Sequence, residues 1–280
     1  MAFVRKLSLG GSGAKTQGGS ASTYVGDIDD IWADDVDFNT LRRGDGVTPG
    51  GIIIDSNPQI IYAGDNAHVT INTTLENVGI GTGTLSSITT GSSTAPYSAS
   101  KNTALGHVSL NANTTGYMNT AIGQATLYEN TSGHSNTAIG LAVLEHNNAN
   151  WNTGVGRGSL YENTTGYDNT AVGGDSLLRN IDGIQNTAVG KGSLQENISG
   201  VDNTAIGKSA LEQNLASGNT AVGSWSLNAN TTGENSVAIG LTALNKNTIG
   251  SYNTAVGAVA LKENTEGSNN TAVGNGALWY

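Results

Sequence analysis

Four aromatic side chains are the residues best placed to contact a ligand. Tyr117, His134, Trp151 and Tyr167 each follow a turn glycine or its equivalent on successive copies of an internal repeat. Exposed rings at repeat spacing can stack sugar rings; they can equally stack on one another or pack on a neighbouring protomer. Later copies carry Ile184, Val201, Glu234, Ser251 and Ser268 at this point, so the feature is local. Nothing else suggests chemistry. His68, His107, His134 and His146 occupy different repeat positions and form no column. Asp168, Asp182 and Asp202 share one turn region, but most neighbouring copies lack an acid there. A hydrolytic carboxylate pair needs a fixed separation of roughly 5–9 Å in a cleft, which a regular repeat does not offer. Gly79-Ile80-Gly81 belongs to the repeat and is no phosphate loop. With no cysteine, thiolate metal sites, disulfides and cysteine nucleophiles are excluded. The expectation is a non-enzyme without catalytic residue, metal or cofactor.

Two stretches before the repeats also carry recognition residues. In 27–41, Asp27, Asp29, Asp30, Asp34, Asp35 and Asp37 interleave with Ile28, Ile31, Trp32, Val36, Phe38 and Leu41. The spacing fits neither a helix nor a strand. The central Gly and terminal Glu of a calcium loop are missing, so docking or packing through Ile28, Ile31, Trp32 and Phe38 is the better reading. The triplet Arg43-Gly44-Asp45 lies in turn material and is short enough to arise by chance.

What must position all of this is the repeat. A glycine preceded by Ile, Val or Leu recurs at 81, 106, 123, 140, 156, 173, 190, 207, 223, 240, 257 and 274. The steps are 25, then 17 or 16 residues. Four residues after each comes a leucine, from Leu85 to Leu278. Seven after, from Gly106 to Gly257, comes an asparagine, from Asn113 to Asn264. A fixed period of this length signals a solenoid. Two turns per period leave segments of strand length that are too short for helices. The expected fold class is all-β, a parallel β-solenoid or β-roll of about 11–12 coils of 16–17 residues. Three regions follow: an irregular arm at 1–50, a short β-strand capping segment at 51–76, and the repeat domain at 77–280. Ile52–Ile54, Ile60–Tyr62 and Val69–Asn72 are the strand candidates of the cap. Ser86–Ser100 fills the enlarged step as a loop.

In the motif Asn-Thr-Ala-Ile/Val-Gly, alternation sends Thr and Ile/Val to one face and Asn and Ala to the other. The apolar Ile/Val column, with Leu, is expected to fill the inside. The Asn-Thr-Thr-Gly turns, as at Asn113–Gly116, are expected to use glycine for positive φ. The Ala column, from Ala104 to Ala272, is then an outer strip of small residues that invites lateral association into a symmetric oligomer.

Composition agrees with order of an unusual kind. Charged residues are 12% and glycine 40 of 280, far from an average globule, yet the apolar columns are regular. A net charge of −10 argues against nucleic acid as the main ligand. No run approaches the ~20 apolar residues of a membrane helix, and no signal-length apolar run opens the chain.

These residues carry a family resemblance. Asn235-Ser236-Val237-Ala238-Ile239-Gly240 resembles the head repeat of trimeric autotransporter adhesins, and the Asn-Thr-Ala-Ile/Val-Gly copies resemble its variant in bacteriophage tail fibres. The resemblance covers about 200 residues, from Asn77 onward. It implies a left-handed parallel β-roll, three chains side by side as a homotrimer, and a role in adhesion. The period is longer than is usual in the adhesins, and signal, stalk and membrane barrel are not seen, which favours the phage fibre. Such a fibre is assembled in host cytoplasm and localises to the virion. It attaches to the tail, baseplate or another structural protein by its N-terminal region. Its distal end faces a host glycan, a receptor or a tip protein, and Trp279 and Tyr280 are the distal contact candidates. Related fibres often carry a removable chaperone domain. The alternatives are a bacterial surface adhesin head and an ice-binding solenoid. The ice reading rests on the recurring Thr103, Thr120, Thr137 and Thr170; it is weakened if that column points inward with Ile/Val, and by the absence of a flat paired-Thr face. A depolymerase on such a fibre lacks its carboxylate cleft.

Overall fold

The computed structural model describes residues 69–72, 75–88 and 99–279. The arm with Ile28, Ile31, Trp32 and Phe38, the candidate strands 52–54 and 60–62, most of the 86–100 loop and Tyr280 lie outside the described residues. Val69–Asn72 is a strand, β1, as its β-branched pattern predicts. Asn77–Ile80 (β2) and Thr103–Leu105 (β3) follow, and each later repeat adds one three-residue strand, to Thr271–Val273 (β13). Among the described residues every regular element is a strand. The strands form one 13-stranded sheet in strictly sequential order. From β2 onward the pairing is parallel, with like residues opposite: Thr103 faces Thr120, and Ala104 faces Ala121. The fold is therefore a parallel β-solenoid, one coil per repeat. Coils rise by about 4.8 Å, the spacing of hydrogen-bonded strands.

The inside of each coil differs from the sequence expectation in one decisive respect. The alternation is as expected, but its sense is reversed. Ala121, Ala138, Ala171 and Ala188 are fully buried, whereas Thr and Ile/Val on either side of them face outward, half-buried or exposed. The core is made of the Leu column and the Ala column, joined by Asn. The reason is volume. A coil this small has room for one large side chain per level, and the invariant Leu fills it. What faces Leu must then be the smallest residue that still packs. The Ala column is thus no outer strip for association; the outward apolar strip is Ile/Val.

The Leu that fills the core sits in the left-handed region in coil after coil, with φ 48° at Leu110, 50° at Leu127 and 52° at Leu144. That conformation costs a bulky residue about 1–2 kcal/mol. Burying the leucine completely returns about 2 kcal/mol or more, so the tight corner is sustained by the side chain it turns inward.

Two glycine columns serve different needs. Gly106, with φ 131°, lies against the carbonyl of Gly123 on the next coil, and a Cβ there would sit 2.7 Å from the Gly123 carbonyl carbon. Glycine is required by both conformation and contact. Gly116, in the Asn-Thr-Thr-Gly turn, has no positive φ, contrary to expectation. Its hydrogen is instead needed for space, because a Cβ would collide with Asn113 Oδ1 and the Gly133 carbonyl.

Buried asparagines satisfy the backbone of the turns. Asn119 accepts the backbone N–H of Asn136 at 3.0 Å, and its Nδ2 donates to the Gly133 carbonyl at 2.8 Å. A second column runs beside it: Asn130 Nδ2 donates to Asn113 Oδ1 at 3.1 Å and to the Gly133 carbonyl at 3.0 Å. These side chains are completely removed from water, so each must find partners inside, and the ladder supplies them.

Candidate functional site

The aromatic residues lie just before the strands, at the corner where each coil enters the sheet. Tyr117 and His134 stack with centroids 4.4 Å apart and planes 14° from parallel. Their ring normals thus run from coil to coil, and the two faces cover each other. Trp151 meets His134 at 5.0 Å and 90°. Its indole is turned a quarter turn from the stack and lies along the coil-to-coil direction. More than half of Trp151, 54%, is exposed to solvent.

The arrangement has a cause in the repeat lengths. The coil beginning at Gly140 is one residue short, so Asn150, not Trp151, continues the Tyr117–His134 column: Asn150 Oδ1 accepts the His134 N–H at 2.9 Å. Trp151 stands in the adjacent column with Met118, Ser135 and Asp168, as its N–H to the His134 carbonyl shows. Sequence spacing alone had put all four aromatics in line. The structure brings Tyr117, His134 and Trp151 into ring contact; Tyr167 lies on the next coil, exposed, beyond Asn150. Asp168, exposed, stands one coil from Trp151 in its own column; the sequence showed this acid only as one of three scattered in a turn region, because the column shift is invisible without the turn geometry. Its N–H donates to the Asn150 carbonyl at 3.3 Å.

His134 is electrostatically quiet. Burial lowers its pKa below the usual histidine range, which keeps the ring neutral at neutral pH. Its Nδ1 lies 3.3 Å from Ser135 Oγ. On another face, His146 pairs with Glu129 at 2.8 Å and meets the Tyr161 ring edge-on at 4.9 Å. There Glu145, burial, Glu162 and Glu129 together raise the Tyr161 pKa. Among the described residues no group of acids and histidines has the arrangement of a metal site. Trp279, the described member of the distal pair, lies 5.9 Å beneath the Lys262 ammonium.

The outward strand face is the other surface of note. Leu105, Ile139, Val172, Ile206 and Ile239 are exposed in one line, with Ile122, Val155, Val189 and Val222 half-buried between them. The Thr column runs parallel to it, also outward.

No protein-family model, no curated protein and no solved structure matches this chain.

Proposed function

We propose that this chain is a structural and adhesive fibre protein of a virion, closest in design to a phage tail fibre. It attaches by its N-terminal region and projects a β-solenoid towards a host surface as a side-by-side homotrimer. The observation that carries the reading is the outward Ile/Val strip. It runs in register along the strands from Leu105 to Val273, and contiguous apolar area of this extent on a soluble surface calls for a partner. A regular strip on a regular rod is self-complementary, and copies related by closed symmetry cover it along its whole length. The test is the mass of the full chain in solution by light scattering. Three times the 28.5 kDa chain mass is expected, and a folded monomer overturns the reading.

One observation favours a second reading. Thr120, Thr137 and Thr170 point outward beside Ile122, Ile139 and Val172, which removes the objection that the column is internal, while each coil still offers one Thr and no paired-Thr face. The strip cannot serve both purposes, since a trimer contact would hide it. A monomer with measurable thermal hysteresis would replace the fibre with an ice-binding solenoid.

A further inference from the structure

We infer that Trp151, Asp168 and Tyr167 form a binding site for a linear pyranose chain, with Tyr117 and His134 as its fixed backing. This deepens the proposed function and rests on it for the source of the ligand, a host-surface glycan. Three observations combine. The first is orientation. Tyr117 and His134 spend their faces on each other, and Trp151 alone is turned at right angles to them, with more than half its surface bare. An exposed indole matches the apolar C–H face of a pyranose, and the ring contact with His134 limits the rotamer freedom that binding would otherwise have to freeze.

The second observation is the aromatic content of the column. Trp151 has φ 56°, the left-handed conformation that its column takes in coil after coil, at Met118 (54°), Gln185 (59°), Tyr252 (58°) and Asn269 (60°) alike. Trp151 and Tyr252 are its exposed aromatic members, and among the described residues only Trp151 has other rings packed behind it. The third is the neighbouring coil. Asp168 stands next in the same column, exposed, and its carboxylate makes no hydrogen bond or ion pair among the described residues. A carboxylate accepts paired hydrogen bonds from vicinal sugar hydroxyls. Tyr167 adds a second exposed ring beside it. The step from Trp151 to this pair is one coil, about 4.8 Å, close to the length of one sugar ring in an extended chain. A chain running along the coils therefore sets one ring on Trp151 and presents the next to Asp168 and Tyr167.

The test is titration of the full-length protein with cellohexaose, chitohexaose and mannohexaose, followed by calorimetry and by the protein NMR signals of the indole N–H groups. Binding of at least one hexasaccharide is expected, tighter than that of its disaccharide. Trp151→Asn, which keeps a residue the left-handed column accepts, is expected to weaken it about tenfold or more. Asp168→Asn is expected to weaken it severalfold. Thermal melts of both variants check that the coils are intact. Failure of all three hexasaccharides to bind, or binding unchanged in Trp151→Asn, overturns the inference. Light scattering on the same samples separates the two claims. A trimer that ignores the saccharides loses only this site, whereas a monomer that binds them through Trp151 keeps the site and loses the fibre.

Discussion

At the residue scale, the repeat is most informative where it breaks its own rule. Gly154 stands where the other copies, Gly79 excepted, carry Ala, and Val143 stands where they carry Ser, Thr or Ala. The two exceptions meet. A Cβ on Gly154 would lie 2.5 Å from Val143 Cγ1, so the extra bulk of Val143 occupies the space that the missing methyl leaves. Gly154→Ala alone is expected to destabilise the array by about 1–3 kcal/mol through overpacking. Val143→Ala alone leaves a small cavity and is also unfavourable. The double variant restores the ordinary coil and is expected to melt close to the native protein, so a double-mutant cycle by thermal melting should show coupling above about 1 kcal/mol. Independent, additive losses would show that the two side chains do not share one space. Each exception was visible in the sequence, but their pairing was not. It depends on which columns face each other inside the coil, and that was the one sense the sequence did not supply.

At the scale of the coil, strand length explains this blindness. Alternation along Asn-Thr-Ala-Ile-Gly correctly grouped Thr with Ile/Val, but three residues define two faces without saying which is inside. Hydrophobicity suggested Ile/Val, and it misled. The better signal was tolerance: one column accepts Ile, Val and Leu105, whereas its neighbour is held to Ala or Gly from Gly79 to Ala272. Restriction to the smallest residues marks a tight interior. The period showed that asparagines recur in columns, but the alternation put the Asn of the strand motif outside with Ala, whereas the structure buries Asn119, Asn136 and Asn152 with it and supplies their partners. Ser236 interrupts one ladder. It accepts the Asn253 N–H at 3.1 Å as an asparagine would, but it has no amide to donate to the Gly250 carbonyl, which Asn247 bonds at 2.8 Å. Ser236→Asn should add that donor in a site already shaped for it. The expected gain is about 1 kcal/mol, read as a rise of about 2–4 °C in melting temperature. A lower melting temperature would mean that this coil has closed around the serine and that the ladder is not uniform.

At the scale of the whole molecule, the reversed strand sense transfers association from the Ala column to the Ile/Val strip, and that makes the proposed trimer testable by charge. Ile206 and Ile239 are exposed at 42% and 41%, and they flank the half-buried Val222 on the strip. In an isolated chain, changing both to lysine touches no core residue and should shift stability by less than about 0.5 kcal/mol at each site. In a side-by-side trimer the same ammonium groups are forced into a dry apolar seam, several kcal/mol too costly to bury unpaired. The double variant Ile206→Lys, Ile239→Lys is therefore expected to scatter light as one chain where the native protein scatters as three, with its β circular dichroism kept. A variant that remains trimeric would move the contact to another face of the coil. A native protein that is already monomeric, and that depresses freezing until these lysines interrupt the Thr and Ile/Val rows, would instead assign the strip to ice. One pair of substitutions thus separates the two uses, because both depend on the same line of outward side chains.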